Sequence, residues 1–539
     1  MLRRKTREVF IGSVGVGGGN PIRVQSMTSS PTKDVEATVQ QIIHLQQAGC
    51  EIVRFTVQGM QEAEACEKIK DRLLSLGCSM PLVADIHFFP PAALRAAEFV
   101  DKVRINPGNF ADKRASFQEK HFSESAYVTE LERIEEKFSP LVEKCRSFKR
   151  ALRIGTNLGS LSDRIMSRFG DTPKGMVESA LEFARICRKM EFHDLIFSMK
   201  ASNPKLMVEA YRLLVEEMDL LGWEYPLHLG VTEAGDGRDG RVKSAMGIGT
   251  LLLDGLGDTI RVSLTEDPWQ EILPCKQIIQ FSEKIREANQ GRGWVQGIPC
   301  PRPKKVSSPP LHPDGTVWVS LQEEDLQKGS LEEDLGYSFV EEKLKKGLLG
   351  ADGCFFSQAI QSSMHIESWE KAGLFCYCIH SSELNRTEEV FSPVRWGKNG
   401  RKPYLVEVSS EESGAWEKAL QQTPDVVIFK ATHHRLFEAR TFFRWLESQT
   451  TKPPVVLHFC YKDLTEEEWV IAASMEVGAL LLDGWGEGIW LEGASLPFVR
   501  ELSFSILQAA RMRMAKTDFI ACPSCGRTLF DLQHVNRRI

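Results

Sequence analysis

The chain has 539 residues, of which 42% are hydrophobic and 26% charged, and its formal net charge at pH 7 is -6. These values predict a globular protein of two or three domains and exclude a disordered chain, a membrane protein and a general nucleic-acid binder. The sequence has no apolar run of about eighteen residues, and its start lacks the apolar core of a signal peptide. We therefore expect no membrane and no nucleic-acid partner, and a cytoplasmic location, which the scattered single cysteines also favour.

Near the start, the glycine-rich segment GSVGVGGGN (12–20) precedes a strand-like run. A dinucleotide-binding loop would precede a helix, so we expect a hairpin that closes the bottom of a barrel instead.

Short β-branched runs then alternate with longer amphipathic ones up to about residue 285. The runs predicted as strands are PIRVQSM (21–27), CEIVRFTV (50–57), PLVADIHF (81–88), KVRINPGN (102–109), ALRIGTNLG (151–159), DLIFSMKAS (194–202), PLHLGVTEA (226–234) and DTIRVSLT (258–265). The segments between them predict helices; in the first, Asp34 is the expected N-cap and Gly49 the C-terminal stop. This rhythm is typical of an α/β fold with a parallel (β/α)8 TIM barrel, and an open doubly wound sheet is the alternative.

Five predicted strands carry a cation within or just after the strand, and several have a hydrogen-bonding residue a few positions further on. The cations are Arg54, Arg104, Arg153, Lys200 and Arg261, and the neutral neighbours are Asn106, Asn157, Ser202 and Ser263. In a barrel the carboxyl ends of the strands converge on one mouth, where clustered cations would repel one another unless a multiply charged anion joined them. Arginine suits phosphate oxygens, so we predict a site for a small phosphate or diphosphate compound. The alternative is that some arginines lie lower in the barrel and pair with acids.

Three further residues at the strand ends are candidates for catalytic acid–base work: Asp85, His87 and Glu233. His228 is a weaker candidate, because a single histidine is more often structural. Lys200 could alternatively form a Schiff base, which would make the protein a barrel lyase or aldolase.

The proline-rich stretch GIPCPRPKKVSSPPLHPDG (297–315) marks a boundary, and we divide the chain into domains at 1–290, 291–515 and 516–539. In the middle domain, PYLVEVS (403–409), DVVIFKA (425–431), PVVLHFC (454–460) and GALLLDG (478–484) are predicted strands. The segment 475–489 repeats 246–260, which indicates internal duplication. In the second copy Trp490 replaces Arg261 and Glu492 replaces Ser263, so we expect a barrel-related α/β insert without an active site of its own.

The end of the chain carries a C-x-x-C pair, Cys522 and Cys525. By spacing alone this pair suits a zinc site, a thioredoxin-like redox motif or part of an iron–sulfur site.

The motifs in order settle the choice: VQSMT, ATVQQI, AGCEIVRFTV, ADIHF, KVRINPGN, RIGTNLGSL, MKASN, PLHLGVTEAG, GDTIRVSLT and ACPSCGRT. Together they resemble the 4-hydroxy-3-methylbut-2-enyl diphosphate synthase family of the non-mevalonate isoprenoid pathway, in its three-domain form. The resemblance implies reductive ring opening of 2-C-methyl-D-erythritol 2,4-cyclodiphosphate by a [4Fe-4S] cluster that flavodoxin or ferredoxin supplies with single electrons. It also implies that the cations listed above bind the diphosphate, together with Asn157 and Ser263.

The family carries a third cysteine ligand and a glutamate beyond the C-x-x-C pair, and neither follows here. We therefore expect a C-terminally truncated iron–sulfur domain with Cys522 and Cys525 as metal ligands. A non-catalytic diphosphate-binding remnant is the alternative function, and a homodimer is an open expectation.

Overall fold

The computed structural model describes residues 3–110, 122–289, 310–322, 324–356, 366–380, 390–393, 403–409, 413–521, 525–528, 532, 534 and 535. The chain divides into two compact units, one of residues 2–283 with 519–539 and one of residues 284–518. The region predicted as a third domain, 516–539, therefore groups mainly with the first unit.

The first unit is an α/β barrel preceded by a hairpin. Its strands are β1 Val9–Ile11, β2 Val14–Val16, β3 Arg23–Met27, β4 Ile52–Thr56, β5 Leu82–Ile86, β6 Lys102–Ile105, β7 Ala151–Asn157, β8 Leu195–Lys200, β9 His228–Leu229 and β10 Thr259–Ile260. Its helices are α1 Val35–Ala48, α2 Met60–Ser75, α3 Pro90–Ala96, α4 Pro107–Phe110, α5 Glu124–Phe148, α6 Asp163–Phe169, α7 Pro173–Lys189, α8 Pro204–Leu220, α9 Gly237–Leu253 and α10 Ile272–Ala288.

The parallel strands follow the order β8-β7-β6-β5-β4-β3-β10-β9, and a bridge between Phe197 and Leu227 joins the two edges. This confirms the predicted TIM barrel. Every residue of β4 and β5 is buried, because one side of each strand fills the barrel and helices cover the other. The first helix begins and ends as predicted: Asp34 accepts a hydrogen bond from the Ala37 amide at 3.1 Å, and Gly49 adopts a left-handed conformation at φ 97°.

The predicted hairpin is also confirmed, since β1 and β2 pair in antiparallel fashion. Its apolar side chains pack against residues at the starts of the barrel strands; the cluster comprises Val9, Ile11, Val16, Ile52, Val83, Ala151 and Ile196. The hairpin thus closes the bottom of the barrel and leaves the carboxyl ends of the strands for the site.

The second unit is a closed barrel of the order β11-β14-β15-β16-β17-β18-β19-β20. Its strands, with a separate hairpin β12–β13, are β11 Thr316–Leu321, β12 Tyr337–Val340, β13 Lys343–Lys346, β14 Gly353–Phe356, β15 Phe375–His380, β16 Val390–Pro393, β17 Leu405–Ser409, β18 Val426–Ala431, β19 Val455–Cys460 and β20 Gly488–Glu492. Its helices are α11 Leu331–Asp334, α12 Ile366–Lys371, α13 Ser413–Gln421, α14 Arg435–Glu447, α15 Glu466–Leu482 and α16 Leu496–Ala509. Strand β16 runs antiparallel to both neighbours, and the other pairs are parallel.

Three of the predicted strands of this unit are confirmed as β17, β18 and β19, but the fourth is wrong. The run GALLLDG (478–484) forms the end of helix α15, and the strand that follows is β20. Every residue of α15 from Trp469 to Leu482 is buried, so the helix lacks a polar face. An apolar run of this kind looks the same in a buried helix and a buried strand.

Within the described part of the chain, no helix combines the length and the apolar character needed to cross a bilayer.

Candidate active site

The barrel of the first unit gathers the predicted cations at its interior. Arg54, Arg104, Arg153 and Lys200 lie on β4, β6, β7 and β8, Arg261 follows β10, and all are buried. Arg54 and Arg261 both contact the sulfur of Met27, from 3.0 and 3.5 Å, so these two side chains lie close together.

The electrostatics of Lys200 show that the whole group shares one space. Burial, and then the charges of Arg54, Arg153, Arg261 and Arg104, hold the pKa of Lys200 well below its usual value. Arg54 and Arg104 also face one carboxylate, that of Asp85, and Arg153 lies opposite Arg104 in the register of β6 and β7. The structure therefore brings the five predicted cations together.

Two carboxylates neutralise part of this charge. Asp85 accepts a hydrogen bond from Arg104 at 2.8 Å and lies 4.0 Å from Arg54. Glu271 accepts two bonds from Arg261, both at 2.9 Å, and one from the Ser26 hydroxyl at 2.7 Å. Glu271 was not among the predicted site residues. Its pairing with Arg261 agrees, for this one arginine, with the alternative that some of the arginines pair with acids.

Two predicted cations have no such partner among the described residues. The Nε and Nη1 atoms of Arg153 are buried without a hydrogen bond, and no described carboxylate lies within 4.0 Å of Arg153 or Lys200. A further cation, Lys102 on β6, is fully buried and donates to Gln25 at 3.1 Å. Burial lowers the pKa of Lys102 well below its usual value, and Arg153 and Arg54 lower it further.

The described interior thus holds six basic side chains, the five predicted ones and Lys102, against the carboxylates of Asp85 and Glu271. Buried charges of one sign are costly unless an opposite charge accompanies them. The chemistry of this donor set fits an anion with several oxygens, such as a diphosphate.

The neutral predicted residues line the same strand ends. Asn157 lies 3.4 Å from Arg104 through its side-chain oxygen, and Asn106 is fully buried with both side-chain polar atoms unpaired among the described residues. Ser263 is buried, whereas Ser202 is half-buried. Asn106 is thus free to bond a ligand oxygen.

Two glycines that the sequence analysis overlooked make room for the cations. A Cβ atom on Gly155 would lie 2.5 Å from Nε of Arg104, and one on Gly230 would lie 2.6 Å from Nζ of Lys200. Side-chain atoms do not approach one another so closely, so the cations occupy space that only glycine leaves open.

Asp85 and His87 lie together, with His87 Nε2 3.5 Å from Asp85 Oδ1 and in contact with Arg104. Burial alone would raise the pKa of Asp85, but Arg104 and Arg54 hold it well below its usual range. Burial lowers the pKa of His87 to about 4, and Arg104 opposes the raising effect of Asp85. At neutral pH, Asp85 is therefore charged and His87 neutral.

Glu233 is separate from this pair. It is exposed in the loop between β9 and α9, with a left-handed φ of 54°. His228 is fully buried and pairs with the Thr259 hydroxyl at 2.6 Å.

The segment that carries the C-x-x-C pair lies on the barrel of the same unit. Lys243 and Thr265 contact the carbonyl oxygens of Phe519 and Ala521 at 3.5 and 3.4 Å. Cys525 is half-buried, while Cys522 lies outside the described residues. A cysteine near a cationic mouth suits a metal centre that works on an anionic substrate.

The second barrel has a different interior. His458 lies between Glu407 and Glu492, at 3.3 and 2.9 Å, and Lys430 pairs with Glu407 at 3.2 Å. Trp490, at the position of Arg261 in the repeat, stacks on His458 with ring centroids 3.9 Å apart. Among the described residues of this interior, His458 and Lys430 thus have carboxylate partners.

A family model described as the GcpE TIM-barrel domain matches residues 6–276. Over its whole length the chain is 50% identical to the 4-hydroxy-3-methylbut-2-en-1-yl diphosphate synthase (flavodoxin) of Protochlamydia amoebophila and covers 86% of that protein. It is 44% identical to the chloroplastic 4-hydroxy-3-methylbut-2-en-1-yl diphosphate synthase (ferredoxin) of Oryza sativa, of which it covers 78%. The synthase (flavodoxin) of Chlamydia trachomatis is 43% identical, with 86% covered.

Proposed function

This chain belongs to the 4-hydroxy-3-methylbut-2-en-1-yl diphosphate synthase family, and we propose that it catalyses the reductive ring opening of 2-C-methyl-D-erythritol 2,4-cyclodiphosphate. The product would be 4-hydroxy-3-methylbut-2-enyl diphosphate. The observation that carries the proposal is the excess of buried cations over carboxylates inside the first barrel.

The cations divide into two groups by their partners. Arg153 and Lys200, which have no carboxylate within 4.0 Å among the described residues, would take the largest share of the diphosphate charge. Arg54 and Arg104 share Asp85 and would bind the phosphate oxygens that remain, whereas Arg261 is oriented by Glu271. Asn106, Asn157, Ser202 and Ser263 would add neutral hydrogen bonds that fix the ring.

Reductive ring opening takes up two electrons and releases one substrate oxygen as water, so it consumes protons as well as electrons. His87 and Asp85 would orient the arginines rather than exchange protons near neutral pH, because one is neutral and the other fixed as a carboxylate. Glu233 would deliver the proton, since its exposed carboxyl group can exchange with solvent.

Cys522 and Cys525 would hold a [4Fe-4S] cluster as part of its ligand set. When bound, the cluster would supply the electrons singly from flavodoxin or ferredoxin, the donors in the names of the relatives. The free thiols of the described cysteines support a reducing compartment, for which we propose the cytoplasm. A homodimer stays a prediction.

Substitution of Arg153 by Met tests the role of the unpaired cations. Arg153→Met removes a charge without leaving a described buried carboxylate unpaired, so the barrel should fold with an unchanged or higher melting temperature. Charge-assisted hydrogen bonds contribute roughly 1.5–3 kcal/mol each, so affinity for the cyclodiphosphate should fall about 10- to 100-fold. Titration calorimetry on the anaerobically reconstituted full chain measures this affinity.

The matched control is Arg72→Met, because Arg72 lies on α2 and pairs with Glu36 at 3.1 Å on the surface. It should bind the cyclodiphosphate as the parent chain does. Equal affinity in the Arg153 variant and the parent would refute the proposed site.

A further inference from the structure

A tight turn in the terminal segment rests on the mouth of the first barrel. The turn spans Cys525–Thr528, and two hydrogen bonds between its ends close it: Thr528 donates its amide to the Cys525 carbonyl at 2.8 Å, and Cys525 donates its amide to the Thr528 hydroxyl at 3.3 Å. A group that holds any part of this turn therefore also fixes the position of the Cys525 thiol.

Gly526 holds the turn from one side. Its carbonyl accepts a bond from Gln58 at 3.2 Å. A Cβ atom at this position would lie 2.6 Å from the Thr56 hydroxyl and 2.8 Å from the Ser30 carbonyl, so the backbone approaches the loops after β3 and β4 as closely as a glycine permits. The turn therefore packs directly against the barrel.

Arg527 holds the turn from the other side and reaches the charged interior. Its Nη2 atom lies 3.4 Å from both Oδ2 and the backbone carbonyl oxygen of Asp85. The Oδ2 atom also faces Arg54 at 4.0 Å, whereas Oδ1 bonds Arg104 at 2.8 Å. One carboxylate thus serves two cations of the proposed phosphate site and the arginine of the cysteine turn.

From this sharing we infer that Arg527 is a positioning residue that couples seating of the Cys525 turn to binding of a diphosphate in the mouth. The inference rests on the proposed function. When phosphate oxygens attract Arg54 and Arg104, these two arginines interact less strongly with Asp85. The carboxylate of Asp85 then interacts more strongly with Arg527. The coupling is reciprocal, so a seated turn strengthens diphosphate binding by the same factor.

Hydrogen exchange of the turn tests this coupling apart from turnover. In the full reconstituted chain, saturating 2-C-methyl-D-erythritol 2,4-cyclodiphosphate should slow exchange of the Cys525 and Thr528 amides about five- to tenfold, at the low end of allosteric coupling. Arg527→Gln should abolish this ligand-dependent slowing and weaken cyclodiphosphate binding by the same factor. Arg527→Lys, which keeps the charge, should restore part of both.

The control is Arg511→Gln, which removes the same charge just upstream, where Arg511 pairs with Asp518 at 2.6 Å. It should retain the slowing in full. A structural role alone would speed exchange equally with and without ligand, and that result, or unchanged slowing in Arg527→Gln, would overturn the inference while leaving the proposed function intact. Failure of the parent chain to bind the cyclodiphosphate would instead refute the proposed function, and the inference with it.

Discussion

The interior of the first barrel holds Arg153 and Lys200 without a carboxylate partner among the described residues, whereas the second barrel encloses His458 between two glutamates. The sequence repeat between the two barrels aligns Lys200 with Lys430, and these lysines lie at the ends of β8 and β18. Lys430, however, has its own partner in Glu407 at 3.2 Å. The same architecture can thus carry described cations without a carboxylate partner in one interior and described charges that pair with one another in the other.

The aromatic residues of the second barrel reinforce this contrast. Trp490 stacks on His458 and on Phe355, with centroids 3.9 and 4.0 Å apart, and its indole N–H donates to Ser320 at 2.9 Å. The space that Arg261 takes in the first barrel is therefore filled by a hydrogen-bonded ring. An insert without an active site of its own stays a prediction.

The largest expected effect comes from removal of one of the two described carboxylates that pair with the predicted cations, Asp85 and Glu271. Glu271→Gln leaves the guanidinium of Arg261 buried without its carboxylate, which should cost about 3–5 kcal/mol of unfolding free energy. Bound cyclodiphosphate should restore part of this loss, because it supplies the missing negative charge. Calorimetric melting with and without ligand measures both.

Glu266→Gln is the matched control, since Glu266 pairs with Arg241 at 2.6 Å in a partly exposed position. Its cost should stay within about 1 kcal/mol. Equal melting temperatures for the two variants would contradict the claim that the interior of the first barrel holds an excess of buried positive charge.

The second prediction is that the two units respond to pH in opposite directions. In the first, burial lowers the pKa of His87 to about 4, so between pH 4 and 6.5 the unfolded chain binds more protons and stability rises with pH. The resulting change in unfolding free energy over this pH range is about 3 kcal/mol at most. In the second, burial opposes protonation of His458, but its bonds to Glu407 and Glu492 raise its pKa, so that stabilisation is lost as pH rises above 6.5.

Urea titrations at several pH values, followed by hydrogen exchange in β7 and β19, separate the two units. His87→Gln should flatten the pH dependence of β7 alone, and His458→Gln that of β19 alone above pH 6.5. Parallel pH profiles for the two strands in the parent chain would contradict the contrast.

A smaller effect is expected from Gly155→Ala. The new methyl group would lie 2.5 Å from Arg104 and 3.0 Å from Ser198. Such overpacking should lower the unfolding free energy by about 1–3 kcal/mol. Because Arg104 must move, cyclodiphosphate affinity should fall together with stability. Gly19→Ala, where no atom lies within 4 Å, is the control and should change neither; an effect of equal size there would contradict the role of Gly155.

Much of the first barrel could be predicted from local sequence. Its strands are β-branched runs bounded by turn residues, and each cation lies within or just after such a run, so the rule that barrel strands converge predicted that the five would meet. Arg153, the third residue of β7, lies deeper in the barrel than the carboxyl end of its strand. Lys102 was within reach of the same reasoning, because it precedes Arg104 by two residues and therefore faces the same side of β6.

Other parts of the site depend on closure of the fold. Glu271 belongs to a short helical turn after β10, and no local pattern shows that it faces Arg261 and Ser26. The contact of Arg527 with Asp85 joins residues 442 positions apart. The prediction of a strand at 478–484 is wrong for a different reason. Residues 469–482 of α15 are all buried, which removes the polar periodicity that distinguishes a helix from a strand.

The central claim is that the excess cations of the first barrel bind a diphosphate. A crystal structure of the full chain grown with 2-C-methyl-D-erythritol 2,4-cyclodiphosphate tests it most directly. We predict both phosphorus atoms within the first barrel, with phosphate oxygens in hydrogen-bond contact with Arg153 and Lys200. Density for the cyclodiphosphate beside His458 in the second barrel, or a first barrel that stays without it at saturating concentration, would contradict the account.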